Sequence, residues 1–212
     1  MNKGMLQRKY TDNRGLLVVV SGPAGVGKGS ICRELARTDG GPDVSISETT
    51  RPMRPGDEAD VTYYFVDREK FESRISEDYY LEWARVYDNY YGTPRARIEE
   101  KLEAGTDVIL EIDPQGAESI RKNFPSAVTV FIMPPSVTEL RARITGRGSE
   151  TEDQLVKRLS CAKDEIEQAP RYDYIIVNRE NSLGRSVSEL QAVITAEHLR
   201  TSRITAQDSR ED

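Results

Sequence analysis

The stretch SGPAGVGKGS, residues 21–30, decides the fold of this chain. It follows the apolar run GLLVVVS, residues 15–21, and it precedes an amphipathic helical pattern. Gly22, Gly27 and Lys28 give the spacing GxxxxGK. Glycines between a strand and a helix let backbone N–H groups point at a phosphate, and the lysine neutralises its β and γ oxygens. In this context the spacing predicts a phosphate-binding loop rather than an ordinary glycine-rich turn.

The position after the lysine departs from the usual motif. Ser or Thr at that position binds magnesium through its hydroxyl, but this chain has Gly29 followed by Ser30. The same order of lysine, glycine and hydroxyl occurs in adenylate kinases and their relatives, which this loop resembles. We therefore expect Ser30 to lie near a phosphate. Magnesium is expected to be held mainly by waters and by acids, which Glu111 and Asp113 supply at the end of the apolar run DVILEID.

Five short apolar runs predict buried strands, and four of them are rich in Val and Ile without strict alternation, as is typical of strands covered on both faces. They occupy residues 15–21, 43–47, 107–113, 127–133 and 172–178. Helical patterns separate them, and their starts are predicted at Thr93 with Pro94, at Ser136 with Glu139, and at Ser186 with Glu189. This alternation predicts an α/β fold of the P-loop NTPase type, with a five-stranded parallel sheet that carries helices on both faces.

Two segments interrupt the alternation of strands and helices. Residues 61–91 are rich in aromatic side chains and predict a small inserted lobe with antiparallel strands. Residues 136–170 contain two charged helical patterns around the polar turn GRGSETED. The first segment could hold a base, and the second could close over it.

Charge and composition restrict the function classes. The net charge of −6 disfavours a nucleic-acid binder that works through a general basic field. No apolar run approaches the roughly 20 residues that span a bilayer, and no secretory signal is recognisable, so we expect a cytoplasmic protein without a membrane partner. Two cysteines and one histidine suggest neither a disulfide framework nor a zinc site.

The run SISETTRPMRPGDE, residues 45–58, suggests how the acceptor is held. Arg51 and Arg54 lie three residues apart between prolines that stiffen the backbone. Each guanidinium group can bind two phosphate oxygens at once, so two arginines on a rigid loop suit a phosphate monoester. Tyr63 and Tyr91 fall in the same predicted lobe.

Glu82 and Thr93 also fall in this lobe, and they suit guanine. A carboxylate can accept from the adjacent N1–H and N2–H donors of guanine, while a hydroxyl faces O6. Adenine would leave the buried carboxylate unpaired, which discriminates against it by roughly 10⁴-fold or more. The lobe therefore predicts a pocket for GMP.

At this point the chain resembles the guanylate kinase family, from Gly15 to about Arg203. The matching segments are SGPAGVGKG, SxSxTTRPMRPGD, YLEWARVYDNYYGT, LEIDPQGA, PPSVTELRARITGRGSE and YDYIIVN, in the family's order and spacing. The resemblance implies transfer of the γ-phosphate of ATP to GMP, giving ADP and GDP, with Mg²⁺ as cofactor and dGMP as an open alternative acceptor. It implies a guanylate kinase-like domain over 14–203 between flexible termini 1–13 and 204–212. Within it are a core (14–46, 94–135 and 171–203), a GMP-binding lobe (47–93) and a lid (136–170).

The resemblance also implies a role for each site residue. The guanine base would be read by Ser47, Glu82, Thr93 and Glu111, and the GMP phosphate would be held by Arg51, Arg54, Tyr63 and Tyr91. ATP would lie on Gly22, Pro23, Ala24, Gly25, Val26, Gly27, Lys28, Gly29 and Ser30, with Asn178 near the adenine. The catalytic set would be Lys28, Arg51, Asp113 and the lid arginines Arg143, Arg147 and Arg158, with Asp113 near the metal, through water.

Two other readings stay open at this point. Guanylate kinase-like domains of scaffolding proteins bind phosphorylated partners without catalysis, but they typically lose the loop glycines and the lysine that this chain keeps. A kinase for a sugar phosphate or for a different nucleotide would not need Glu82, Ser47 and the paired arginines. The sequence therefore favours an enzyme that phosphorylates GMP.

Overall fold

The computed structural model describes residues 14–54, 56–86, 88–145 and 152–205. Its centre is a five-stranded sheet with the order β2-β7-β1-β8-β9. The strands are β1 Leu17–Ser21, β2 Asp43–Val44, β7 Val108–Glu111, β8 Val128–Met133 and β9 Tyr174–Val177. All pairings within this sheet are parallel. The five predicted strands and their parallel arrangement are thus confirmed.

Strand β1 is buried on both faces, which explains its uninterrupted apolar sequence. Val18 and Val20 point into one hydrophobic cluster, and Leu17 and Val19 point into another. On the first face lie helices α1 Lys28–Ala36 and α7 Leu183–His198. Helices α3 Arg95–Glu103 and α4 Pro114–Asn123 cover the second face. Because the strands are parallel, their carboxyl ends share one edge, where the phosphate loop meets the acids at the end of β7.

The inserted lobe is a second sheet with the order β4-β3-β6-β5. Its elements are β3 Glu48–Thr49, β4 Tyr64–Phe65, α2 Arg68–Ser76, β5 Tyr80–Val86 and β6 Asn89–Pro94. Strand β6 pairs antiparallel with β3 and β5, as predicted, whereas β3 and β4 pair in parallel. The aromatic residues supply the lobe's core, where Phe71 stacks on Tyr80 at 4.4 Å and on Tyr90 at 5.2 Å between ring centroids.

Two predicted helix starts are displaced. Thr93 and Pro94 both belong to β6, and α3 begins at Arg95. The last long helix begins at Leu183 rather than at Ser186, which is buried inside it. In both cases the side chain that suggested a cap is used in a tertiary contact instead. The predicted start at Ser136 is confirmed, because its Oγ accepts from the backbone N–H of Glu139.

The predicted lid region contains α5 Val137–Thr145 and α6 Glu152–Ile166. The turn between them, including Arg147, lies outside the described residues. After α7 the chain continues into the short helix α8 Thr201–Thr205, which includes the first two residues of the segment 204–212 that was predicted to be flexible. Residues 1–13 and 206–212 lie outside the described part. Among the residues that are described, no helix combines the length and apolar character needed to cross a membrane.

The C-terminal helices are tied to the sheet by buried charge. Glu197 is only 1% exposed and accepts from Tyr174 Oη at 2.5 Å and from Arg203 Nη2 at 2.6 Å. Nearby, Asp107 accepts from the backbone N–H of Leu16 at 2.7 Å and contacts His198 Nε2 at 2.9 Å. These contacts fix the end of α7 against the start of β1.

The two cysteines are free and lie in opposite environments. Cys32 is buried in α1, where burial and the neighbouring charge of Glu111 raise the pKa of its thiol to about 12. Cys161 is exposed on α6.

Candidate active site

The phosphate loop depends on glycine backbone geometry. Gly22, Gly25 and Gly27 have φ values of 139°, 83° and 101°, which L residues rarely adopt. A Cβ on Gly22 would also collide with the carbonyl oxygen of Ile132. Gly27 directly precedes α1, so the free amides of the helix start open into the loop. The sequence motif therefore folds into a cradle for an anion.

Lys28 lies across this loop. Its Nζ donates to the carbonyl oxygens of Gly22, at 2.6 Å, and Pro23, at 3.3 Å. An ammonium group has three donors, so one remains for a phosphate oxygen. Burial lowers the pKa of the amine, while the carboxylates of Glu111, Glu165 and Asp113 oppose that shift. The acids at the carboxyl edge of the sheet thereby help to keep the lysine charged.

The carbonyl of Val26 joins the loop to β9 and the lid. It accepts from Asn178 Nδ2 at 2.8 Å and from Arg143 Nη1 at 3.3 Å. Arg143 also donates to the Asn178 carbonyl and to Glu139, and Ser186 Oγ donates to Asn178 Oδ1 at 3.1 Å. The amide of Asn178 thus donates to the loop at Val26 and accepts from Ser186 on α7. Sequence reasoning missed Ser186 because it read this hydroxyl as a helix cap.

Glu111 lies against the phosphate loop. A Cβ built on Gly29 would be 3.0 Å from Glu111 Oε2 and equally close to Arg33 Nη1. The carboxylate therefore occupies the space that a Ser side chain at position 29 would need. An oxygen ligand is thus available beside the loop although the motif lacks its hydroxyl, and this donor type suits magnesium.

Asp113 caps α4 and lies between the loop and the lobe. Its Oδ1 accepts from the backbone N–H of Gly116 at 2.8 Å. Its charge raises the pKa of Glu82, which favours the protonated acid, and also acts to raise the pKa of Lys28, which favours the charged amine. Sequence reasoning assigned Glu111 to the base and Asp113 to the metal, but the structure sets Glu111 beside Gly29 and gives Asp113 an influence on both halves of the site.

Glu82 and Thr93 face each other across β5 and β6. Both are buried, and Thr93 Oγ1 donates to Glu82 Oε1 at 2.7 Å. Burial raises the pKa of Glu82 to about 7, with Asp113 adding to the rise and the Thr93 hydrogen bond opposing it. The expected carboxylate and hydroxyl are therefore brought together at hydrogen-bonding distance.

The predicted phosphate-binding groups of the lobe form a second cluster. Arg51 is buried, with its guanidinium carbon 5.4 Å from the centroid of the Tyr63 ring, which meets Tyr91 edge-on at 5.8 Å. Arg51 Nη1 pairs with Asp57 Oδ2 at 2.8 Å, and the same oxygen accepts from the Arg54 backbone at 2.7 Å. Asp57 was missed by the sequence analysis, although it lies in the quoted RPGDE run.

For the remaining predicted residues, the structure gives a position but does not by itself indicate a role. Ser47 lies just before β3, and its carbonyl accepts from the backbone N–H of Tyr64 at 2.9 Å. The side chain of Arg54 is exposed, Arg158 is half-buried on α6, and Ser30 is exposed in the first turn of α1. Within the described ranges no group of three His, Cys, Asp or Glu side chains could hold a metal ion.

Comparison with known proteins identifies the family to which this site belongs. The sequence model described as "Guanylate kinase" matches residues 14–197. A guanylate kinase from Halalkalibacterium halodurans is 48% identical, with 90% of this chain and 93% of the relative covered. One from Symbiobacterium thermophilum is 50% identical, with 90% and 89% covered. The crystal structure of guanylate kinase from Anaplasma phagocytophilum aligns with a TM-score of 0.74 at 32% identity and covers 92% of each chain.

These matches extend over both the phosphate loop and the lobe that carries Glu82 and Arg51. They also agree with the five-stranded parallel sheet and its inserted lobe. The chain therefore belongs to the guanylate kinase family of nucleoside monophosphate kinases.

Proposed function

We propose that this protein transfers the γ-phosphate of ATP to GMP, giving ADP and GDP, and that Mg²⁺ assists. One observation supports this assignment above the others. The phosphate loop with Lys28 and the buried pair of Glu82 and Thr93 both border Asp113 at the carboxyl edge of the central sheet. The proposed site for the ATP phosphates and the proposed site for guanine would therefore both lie next to Asp113.

The donor half of the proposed site is the loop from Gly22 to Ser30. Its amides and Lys28 would bind the phosphates of ATP. Arg143, Arg147 and Arg158 would approach from the lid segment 136–170. Because Arg143 contacts the Val26 carbonyl from outside the loop, lid movement would release it towards the phosphates. Asn178 would support the loop through the same carbonyl and border the adenine.

The acceptor half is the lobe over residues 47–93. Ionised Glu82 would accept from N1–H and N2–H of guanine, with Thr93 and Ser47 near O6. Arg51, Arg54, Tyr63 and Tyr91 would hold the GMP phosphate. The Asp57 carboxylate, already paired with Arg51, would orient that guanidinium before the phosphate arrives.

The two acids at the end of β7 would have different roles because they lie at different positions in the site. Glu111, beside Gly29, would be the carboxylate near magnesium, and Asp113 would face both the metal's water shell and the base. When bound, magnesium would neutralise charge on the phosphate oxygens. Glu111 thereby has the metal-side role that its place at the end of the DVILEID run suggested, instead of the base-reading role that the resemblance implied, and Asp113 keeps its expected place near the metal.

No strong general base is needed for this reaction. The second pKa of a phosphate monoester is near 6, so GMP is largely a dianion at neutral pH. The protein would act by aligning two phosphates and by neutralising their charge through Lys28 and the arginines. Lid closure would exclude water, which would otherwise hydrolyse ATP.

The direct test is coupled ADP release with ATP and magnesium, offering GMP, dGMP, AMP, CMP and UMP separately. We expect rapid release with GMP and little with AMP, CMP or UMP, while dGMP shows whether the 2′-hydroxyl matters. Binding of ATP without turnover of any acceptor would favour the non-catalytic binding module. Turnover of another nucleotide at the GMP rate would contradict the assignment of Glu82.

A further inference from the structure

Gly116, in the first turn of α4, lies directly against the base-reading carboxylate. A Cβ built on this glycine would be 2.8 Å from Glu82 Oε2, a distance that real Cβ contacts essentially never show. The next neighbours are side-chain atoms of Ile112, at 3.3 and 3.4 Å. The closest obstacle to a side chain at 116 is therefore the functional oxygen of Glu82.

Burial and one hydrogen bond hold the Glu82 carboxylate beside Gly116. The residue is 5% exposed, and its other oxygen accepts the hydroxyl of Thr93 at 2.7 Å. The backbone N–H of Gly116 is already bound to Asp113 Oδ1, which fixes the glycine relative to the second acid of the site. The contact between β5 and α4 is thus made at this glycine.

We propose that Gly116 is a positioning residue for GMP recognition. Because it has no side chain, the Glu82 carboxylate can lie against α4 with one oxygen and accept from Thr93 with the other. The inference rests on the proposed function, since it assigns to Glu82 the reading of guanine. Gly116 itself does not touch the base. It acts by defining where one carboxylate oxygen can lie.

A methyl group at position 116 has a characteristic expected effect. Stability should change little, because alanine favours a helix over glycine and this gain offsets the cost of turning the Glu82 carboxylate, which is the end of a flexible side chain. Recognition should suffer, because that same end must move away from its place beside Thr93. A purely structural glycine would show the reverse pattern, with a loss of stability and no preference for one substrate.

The first experiment compares Gly116→Ala with wild type by steady-state kinetics and by calorimetric titration of GMP. We expect KM and Kd for GMP to rise about tenfold or more, the KM for ATP to stay within twofold, and Tm to be unchanged or higher. Gly184→Ala is the matched control, because Gly184 also lies in the first turn of a helix and a Cβ there meets nothing within 4 Å. That control should keep both KM values.

The second experiment is a double-mutant cycle with Glu82→Asp. Shortening the side chain by one methylene draws the carboxylate away from Gly116, so Gly116→Ala should cause little further loss in this background. The same fold-loss in both backgrounds would show that Gly116 acts independently of Glu82 and would overturn the proposal. So would an unchanged KM for GMP in the single Gly116→Ala variant.

Failure of the proposed function would look different. In that case wild type itself would neither bind nor phosphorylate GMP, and this inference would fall with it. If wild type uses GMP normally and Gly116→Ala does too, only the role of Gly116 is wrong.

Discussion

Glu82 is a buried acid whose ionisation is costly to the fold and necessary for its proposed task. Burial raises its pKa to about 7, whereas accepting N–H groups of guanine requires the carboxylate. The protein therefore maintains a group near the midpoint of its titration at neutral pH. Such a balance is typical of functional sites rather than of structural carboxylates.

We expect KM for GMP to rise about fourfold as the pH falls from 8.5 to 6.5, because only ionised Glu82, with a pKa of about 7, accepts from guanine. Measurements between pH 6.5 and 8.5 avoid most of the titration of GMP itself. Glu82→Gln should have a much higher KM for GMP and no such pH dependence, with little change in ATP binding. A parallel pH dependence in both proteins would assign the titration to another group.

Glu82 should also affect stability with a definite sign. Its pKa is raised in the folded protein, so the fold binds more protons than the unfolded chain between about pH 4.5 and 7. Stability from this group is therefore present at low pH and lost as the pH rises through 7. Thermal unfolding at pH 8 should show a higher Tm for Glu82→Gln than for wild type, and a lower Tm would contradict the raised pKa.

Lys28 is the cation of the phosphate loop. Lys28→Ala should cost on the order of 3 kcal/mol or more in transition-state stabilisation, which is at least a hundredfold in kcat/KM. Lys122→Ala is the control. It removes the same charge from an exposed lysine, which pairs with Glu118 on the surface. Near-normal turnover by Lys28→Ala would remove the loop from the mechanism.

Sequence alone predicted the residues whose chemistry is local. The loop glycines and Lys28 follow one another along the chain, and their spacing is the motif. Asp57 and Gly116 were not predicted, because their importance comes from partners that the fold brings close. The separate roles of Glu111 and Asp113 were harder to predict. Both are acids at the end of the same strand, and only the residues packed against each one distinguish them.

Among the elements, β9, α7 and the phosphate loop are connected through the Asn178 side chain. Its amide donates to Val26 and accepts from Ser186, which fixes the orientation of the amide group. A side-chain hydrogen bond of this kind contributes about 1 kcal/mol. The loop is therefore held partly from outside, by a helix that makes no direct contact with the proposed phosphates.

Ser186→Ala should raise the KM for ATP by a few fold, about 1 kcal/mol, because the Asn178 amide loses the partner that fixes it. The KM for GMP should stay unchanged. Ser188→Ala is the matched control, since this serine is exposed on the same helix and donates only to the Gly184 carbonyl. Equal effects of the two variants on the KM for ATP would show that Asn178 needs no support from Ser186.

The strands of the core were predictable because burial on both faces gives uninterrupted runs of Val and Ile. The helix starts at Thr93 and Ser186 were not, because capping preference is a local signal and both hydroxyls have distant partners. The parallel pairing of β3 and β4 was also unpredictable, since two strands of two residues each carry almost no pattern. Tertiary contacts decided each of these cases.

At the scale of the whole molecule, the C-terminal helices close the core around buried Glu197. Burial opposes its charge, but hydrogen bonds from Tyr174 and Arg203 lower the pKa of this carboxyl below its usual value. A lowered pKa contributes stability that is present above about pH 4.5 and is lost on acidification. This region lies away from the loop and the lobe, so it should affect folding without affecting substrates.

Glu197→Ala should lower the free energy of unfolding by about 2–3 kcal/mol, because two arginines and a tyrosine lose their shared partner. Denaturant titration at pH 7 measures this loss, and KM for both nucleotides should stay unchanged in the folded variant. Glu189→Ala, which removes a surface partner of Arg185, should cost less than about 0.5 kcal/mol. A similarly small loss for Glu197→Ala would mean that its ion pairs contribute little.

The contrasting environments of the two cysteines make the wild-type protein ready for spectroscopy. A thiol-reactive fluorophore should attach to exposed Cys161 on α6 and spare Cys32, which is buried and resists ionisation. The dye would then sit at one known point on α6, in the segment that is predicted to form the lid, without any engineered substitution. Its emission or anisotropy during rapid mixing with ATP, with GMP and with both would follow lid movement in real time, separately from the chemical step.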